Sequence, residues 1–287
     1  MLRDVRSTLT VRPQPGTRMV YAVAVADAEG ITRETESLIA ATSHGELEVQ
    51  ELADHHGGRL HVIDVPEDFP TASGSDRDAG GDERETDEDG FPTGTPAPGT
   101  LRVDYRCRVA GQESAPVGAP ADLIRYVRPS RYAESDKLFP TSGKLFGSLE
   151  GQELLDAVGD WVNRHISYVP GFSRGTDGAV DTFLARQGIC RDFAHLVVSL
   201  LRARNMPARV VAGYAPGLRP MDFHAVAEAW VDGAWKLVDA TGLAEMDTLA
   251  RVSTGSDASD TAFLSTVRGG ISLDHIKVDA RRVDESA

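Results

Sequence analysis

Three residues carry the chemistry that this sequence can offer: Cys190 in GICRDFAH, His224 in DFHAVAEAW and Asp239 in KLVDATG. Cysteine is scarce, with Cys107 and Cys190 the only two. Cys190 stands in a charged, glycine-led turn ahead of an apolar run. Phe193, Leu196, Val197, Leu200 and Leu201 then repeat at helical spacing until Asn205 and Pro207 close the run. Cys190 is therefore expected in the first turn of a helix. Unpaired backbone N–H groups and the positive end of the helix dipole favour a thiolate there. The same N–H groups can hold an oxyanion during acyl transfer. Such a thiol becomes a catalytic nucleophile only with a base in reach.

FHAVAEAWVDGAWKLVDATG supplies one. Two β-prone runs flank Asp232-Gly233, a favoured pair for a two-residue hairpin turn. In that register Val231 faces Ala234, Asp239 faces Val226 and His224 faces Thr241. His224 and Asp239 then lie on one face as diagonal neighbours, about 7–8 Å apart at the backbone. A carboxylate can bond one imidazole nitrogen and leave the other for a thiol or substrate. Singly, each residue has a plainer use: a strand histidine on a backbone carbonyl, or an aspartate shaping a turn. Together with a cysteine at a helix start, they read as a Cys-His-Asp triad.

Other elements must position these three. Leu101, Val103, Tyr105, Cys107 and Val109 alternate with charged residues as in a half-buried strand, where Cys107 packs as a small hydrophobe. Shorter β-like runs occur at Met19–Ala26 and Arg59–Val65, so residues 1–120 are expected to form a β-rich domain. Residues 67–99 are rich in Gly, Pro, Ser and acids and are expected to be a disordered, solvated insertion, of which residues 71–98 are expected to be removable without loss of the fold. Residues 121–287 change character: an extended connector around RYVRPSRYAESD, a helix near Glu150–His165, a loop at SYVPGFSRGTDG and a short helix over Val180–Gln187.

The run from Asp181 to Gly242 resembles the transglutaminase-like family of bacterial cysteine hydrolases and acyltransferases. The resemblance is most specific at C-R-D-F-A-H and extends to WVNRHISYVPG upstream and ASDTAFLSTVRGG downstream. HAVAEAW lacks the aromatic often found two residues after the histidine, and VDATG stands where VDPT is common. The resemblance implies an α+β fold, a papain-like core behind a β-rich accessory domain, with Cys190 as nucleophile, His224 as base and Asp239 as orienting acid. Asp192 and His195 lie inside the motif; His195 falls about 140° from Cys190 on the helix, so both are expected to be structural. No second oxyanion donor is assigned; Gln187 is polar and close in sequence.

Composition narrows the alternatives. At 287 residues, 41% hydrophobic and 26% charged, the chain reads as soluble and globular. Of the net charge of −14, ten acids against two arginines in residues 67–90 account for −8. This balance argues against nucleic-acid binding. No apolar run reaches membrane length, and MLRDVRSTLTVRPQPG lacks the pattern of a secretory signal, so a cytoplasmic location without membrane partners is expected. No CxxC, HxxxH or HExxH spacing occurs, and no metal or cofactor is expected. The leading expectation is a thiol hydrolase acting on an amide or peptide bond of a peptide or protein substrate. Acyl transfer to an amine uses the same residues. A scaffold with a vestigial triad, its N-terminal domain binding a protein partner, is the third reading.

Overall fold

The alternation at residues 101–109 sits at the centre of the first layer. The computed structural model describes residues 1–71, 85–114 and 118–283. Strand β7 (Leu101–Gly111) buries Leu101, Val103, Tyr105, Cys107 and Val109. It is the middle strand of a five-stranded antiparallel sheet ordered β15 (Ile271–Val283), β1 (Leu2–Pro13), β7, β3 (Ile31–Thr42) and β4 (Gly45–Glu46). A four-stranded antiparallel sheet runs β14 (Leu264–Arg268), β2 (Arg18–Tyr21), β6 (Arg59–Asp64), β5 (Gln50–Ala53). Leu9, Val103 and Tyr105 of the first sheet share one apolar core with Met19, Tyr21 and Ile63 of the second. Cys107 belongs to this core, and burial pushes its thiol pKa up.

A third sheet, β12 (Ala234–Val238), β11 (Phe223–Val231), β10 (Ala208–Tyr214) and β13 (Ala250–Gly255), is also antiparallel. Helix α5 (Cys190–Arg202) packs on β10 and β11. Around it stand α2 (Ser135–Phe146), α3 (Gly151–His165) and α4 (Ala179–Ala185), with short helices α1 (Pro120–Arg125) and α6 (Ala258–Thr261) beyond. Leu196, Val197, Leu200 and Leu201 are fully buried, which is why α5 reads as so regular an apolar stripe. Helix α2 was hidden by Pro140 and Gly143, yet Leu138, Ser142 and Phe146 form its buried face. Helix α4 stops at Ala185 because Arg186 turns left-handed at φ 60°; Gln187 and Gly188 then form β9, paired in parallel with β8 (Ser167–Tyr168).

Two expectations need correction. The division at residue 120 does not follow the sheets: β14 and β15 leave the C-terminal part and pair with β2 and β1. Tyr214, Ala250 and Val252 of the third sheet share the N-terminal core, and the Tyr214 hydroxyl donates to the Val23 carbonyl at 2.7 Å. Alternation identifies a strand but not its neighbour, so the return of the chain left no local mark. The insertion is not uniformly solvated either. Residues 72–84 lie outside the described residues, but Phe69 and Phe91 at its flanks are buried. The Arg6 guanidinium lies 3.7 Å from the Phe91 ring centre and Lys277 Nζ 4.6 Å from it. Asp87 pairs with Arg6, and Asp89 pairs with Arg281 at 2.6 Å. The acids of this segment answer basic residues on β1 and β15, a match that composition does not record.

Candidate active site

Helix α5 starts at Cys190 because Ile189 keeps an extended backbone (φ −111°, ψ 179°) and its N–H donates to Asp192 Oδ2 at 2.8 Å. The other Asp192 oxygen accepts from Ser173 Oγ at 2.9 Å and from Arg191 at 3.2 Å. Asp192 is thus the clamp that fixes the turn. A Cβ on Gly188 would lie 2.7 Å from the Asp192 Cβ, so the turn closes only over glycine. The Cys190 thiol remains half-buried, its Sγ 3.9 Å from the Phe223 carbonyl oxygen.

Strand β11 brings His224 to the same place. His224 stands opposite Gly213 on β10, where an added Cβ would meet the Ala250 carbonyl of β13 at 2.4 Å. The hairpin register is the expected one, from Val231 opposite Ala234 to Ala227 opposite Val238, and Asp232 and Gly233 both take positive φ as the turn demands. The ladder stops there, freeing Asp239 to turn towards the histidine. His224 Nε2 donates to Asp239 Oδ2 at 3.0 Å, with the imidazole fully enclosed. Nδ1 is buried and has no hydrogen-bond partner among the described residues. Cys190 lies near enough to the ring to act on its protonation.

Asp239 is held from behind. Oδ1 accepts from the Thr241 N–H at 2.9 Å and from its hydroxyl at 2.6 Å. Oδ2 accepts from the backbone N–H groups of Leu243 at 3.2 Å and Ala244 at 3.1 Å. Burial opposes the carboxylate, but His224 and Thr241 prevail and hold its pKa below the usual value. Burial likewise opposes the imidazolium, yet the bond to Asp239 and the nearby Cys190 outweigh it and raise the His224 pKa to about 9. An imidazole so placed can take the thiol proton and remain charged at neutral pH, the condition for a thiolate–imidazolium pair.

His195 does not join this group. It is fully buried, stacks on Tyr132 at 5.5 Å and accepts the Ala258 N–H on Nε2 at 3.0 Å, tying α5 to α6. Burial pushes its pKa down, so it stays neutral. Gln187 lines a cleft of about 440 Å³ with Phe172, Asp177, Asp181 and Leu184, on the α4 side of Cys190. Among the described residues, no three His, Cys, Asp or Glu side chains gather as a metal-binding group, and no helix is long and apolar enough to cross a membrane. Sequence reasoning missed the part Thr241 plays in holding Asp239, although Thr241 was legible as the second residue after it.

Helix start, strand histidine and turn aspartate on an antiparallel sheet define a mixed α/β protein with a papain-like core. Residues 145–240 match the family model of the transglutaminase-like superfamily, so the chain carries a transglutaminase-like domain. The structure is similar to that of a candidate cysteine protease from Cytophaga hutchinsonii, with a TM-score of 0.81 and 29% identity over 100% of this chain and 92% of that one. An uncharacterized protein of Mycobacterium leprae is 26% identical over 160 residues, 52% of this chain and 57% of that protein's length. A protein-glutamine gamma-glutamyltransferase of Pseudomonas aeruginosa is 42% identical over 80 residues, 23% of this chain but only 12% of that protein. The chain therefore spans little more than half of the mycobacterial relative and a small part of the other.

Proposed function

We propose that this protein is a cysteine-dependent hydrolase of amide or peptide bonds in a peptide or protein substrate, working through Cys190, His224 and Asp239. The observation that carries the reading is the setting of His224: Nε2 donates to Asp239, Nδ1 is buried without a partner among the described residues, and Cys190 is near enough to help raise the ring's pKa. The Cys190 thiolate adds to the carbonyl carbon. Protonated His224 gives its Nδ1 proton to the leaving amine, and an acyl-enzyme remains. Neutral His224 then takes a proton from water as its oxygen attacks the thioester, and the acid leaves as the thiol is restored. Asp239 keeps the Nε2–H tautomer and steadies the charged ring. No step calls for a metal.

A second reading has an observation of its own. The segment 42% identical to the Pseudomonas glutamyltransferase favours acyl transfer, in which a primary amine replaces water in the second half-reaction. The chemistry up to the acyl-enzyme is shared.

The test is iodoacetamide alkylation of Cys190 against pH in a Cys107→Ser background, followed by a peptide-library screen with and without a fluorescent primary amine. Fast alkylation well below the ordinary thiol pKa of about 8.5, lost in His224→Ala, is expected. Turnover abolished in Cys190→Ala with the fold retained is expected as well. An ordinary thiol profile, or turnover surviving in Cys190→Ala, overturns the proposal. Product carrying the amine would move the assignment to acyl transfer.

A further inference from the structure

Asp239 meets His224 from a stretch of chain that the sheet no longer holds. The β11–β12 ladder ends at Ala227 opposite Val238, and Gly242 turns the chain beyond it at φ 68°. The bonds from Thr241, Leu243 and Ala244 to Asp239 are internal to this loop, so they set its shape but not its place. Among the described residues, one side chain besides His224 hydrogen-bonds into residues 239–242 from outside the loop. It is Asn163 of α3, whose Nδ2 donates to the Ala240 carbonyl oxygen at 2.9 Å. The same amide lies against Gly242, where an added Cβ would stand 3.5 Å from Nδ2. Helix α3 follows β12 up to this point. Gln152 Oε1 accepts from Lys236 Nζ at 2.8 Å, and a Cβ on Gly159 would meet Val238 Cγ2 at 2.9 Å. Asn163, one turn beyond Gly159, then takes Ala240, so the helix continues as a support where the neighbouring strand gives out. The end of α3 is tied to the nucleophile as well. It runs into β8, where the Ser167 N–H donates to the Arg186 carbonyl and the following Val169 N–H to the Gly188 carbonyl, both at 2.9 Å. Gly188 stands two residues before Cys190. Residues 163–169 thus bond the loop of the acid at one end and the approach to the thiol at the other.

We infer that Asn163 is a positioning residue of this site, holding the Asp239 loop through the Ala240 carbonyl so that the carboxylate stays in reach of His224 Nε2. The inference rests on the proposed roles of Cys190, His224 and Asp239 and adds a residue that acts through the backbone of a fourth. Asn163 exchanges no proton in this role. Losing its bond leaves all three side chains present and changes how well they meet. The Ala240 carbonyl is freed to turn to water, and a less firmly placed Asp239 favours the imidazolium less. The thiolate, stabilised in turn by that cation, then forms at higher pH. Asp239, Cys190 and Asp222 are the titratable groups that act on His224 among the described residues, and replacing Asn163 alters none of them.

The experiment separates this role from packing and from the reactivity of the thiol. Asn163→Leu keeps the size of the side chain, removes the donor and places a better helix former at an exposed position. Its Tm is therefore expected to stay within about two degrees of the parent. The first arm uses Cys190→Ala protein, where the ring answers to Asp239 without the thiol. His224 is titrated by proton NMR of its imidazole C–H, assigned by its loss in His224→Ala. The midpoint is expected to fall by about half a pH unit or more in Asn163→Leu. Gln152→Leu removes the other α3–β12 bond, at Lys236, which the ladder still holds, and should leave the midpoint unchanged. An unmoved midpoint in Asn163→Leu overturns the inference. An equal fall in Gln152→Leu also overturns it, assigning the effect to the packing of α3 as a whole. The second arm follows Cys190 alkylation by iodoacetamide in the Cys107→Ser background. Its pH midpoint is expected to rise in Asn163→Leu and to stay in place in Gln152→Leu; a parent reactive at low pH whose midpoint Asn163→Leu does not raise counts against the inference. An ordinary thiol profile in the parent is a different failure, that of the thiol chemistry, and the titration then decides on Asn163 alone.

Discussion

His224 is enclosed, yet its pKa is raised to about 9, because the bond to Asp239 and the nearby thiol outweigh the burial that opposes its charge. The sign of the pH dependence follows. A general acid with a raised pKa is competent below that value and is lost as pH rises through it, so the alkaline limb of activity should fall near 9. Asp239→Asn removes the carboxylate that favours the imidazolium and should move this limb down by at least one pH unit, while lowering kcat by one to several orders of magnitude. The profile of kcat/KM checks it; an unmoved limb would mean that the aspartate does not govern the histidine. At this scale much was legible. The thiol, the imidazole and the carboxylate announce themselves by residue type, and the hairpin turn fixes the spacing of two of them. The four donors behind Asp239 include three backbone N–H groups, which no side-chain pattern reveals.

Elements turn those residue types into a geometry, and the start of α5 is the critical joint. Gly188 is packed against Asp192, whose carboxylate holds the Ile189 N–H and thereby the first turn. Gly188→Ala would drive the new methyl to 2.7 Å from the Asp192 Cβ and push the clamp aside. We expect a loss of at least tenfold in Cys190 alkylation rate at pH 7 and a fall of several degrees in Tm. Gly175→Ala, at a position with nothing within 4 Å of the added carbon, should change neither and serves as the control. Retention of the parent rate in Gly188→Ala would show that the turn tolerates displacement. Helix α5 and the β11–β12 hairpin were readable because each has an unbroken period and a turn signal of its own. Helix α2 was not, since a proline and a glycine interrupt a stripe that tertiary packing nevertheless buries.

At the scale of the molecule, the first and last strands are neighbours, and this dictates how stability is shared. β15 pairs with β1 along its whole length, from Leu2 opposite Val283 to Pro13 opposite Ile271. Val278 and Ala280 of β15 enter the same core as Tyr214, Ala250 and Val252 of the third sheet. Buried charges join the two halves as well. Arg251 on β13 bonds Glu228 on β11 at 2.6 Å and Glu113, just after β7, at 2.9 Å. The Arg3 guanidinium on β1 donates to the Leu249 carbonyl at 3.1 Å. Long-range pairing of this kind leaves no mark on local sequence, which is why the division near residue 120 looked natural and the return of the chain did not. A core shared between the halves cannot melt in parts. Truncation after Gly270 strips β1 of its ladder partner and uncovers the core beneath Val278 and Ala280. Its effect should therefore reach Cys190, although the nucleophile lies eighty residues earlier in the chain. We expect the truncated chain to show a markedly lower Tm and to lose the fast low-pH alkylation of Cys190 in the same transition that removes its near-ultraviolet circular dichroism. Retention of the full-length Tm and thiol reactivity would mean instead that the site-bearing half stands alone, and that the shared core contributes little to holding it.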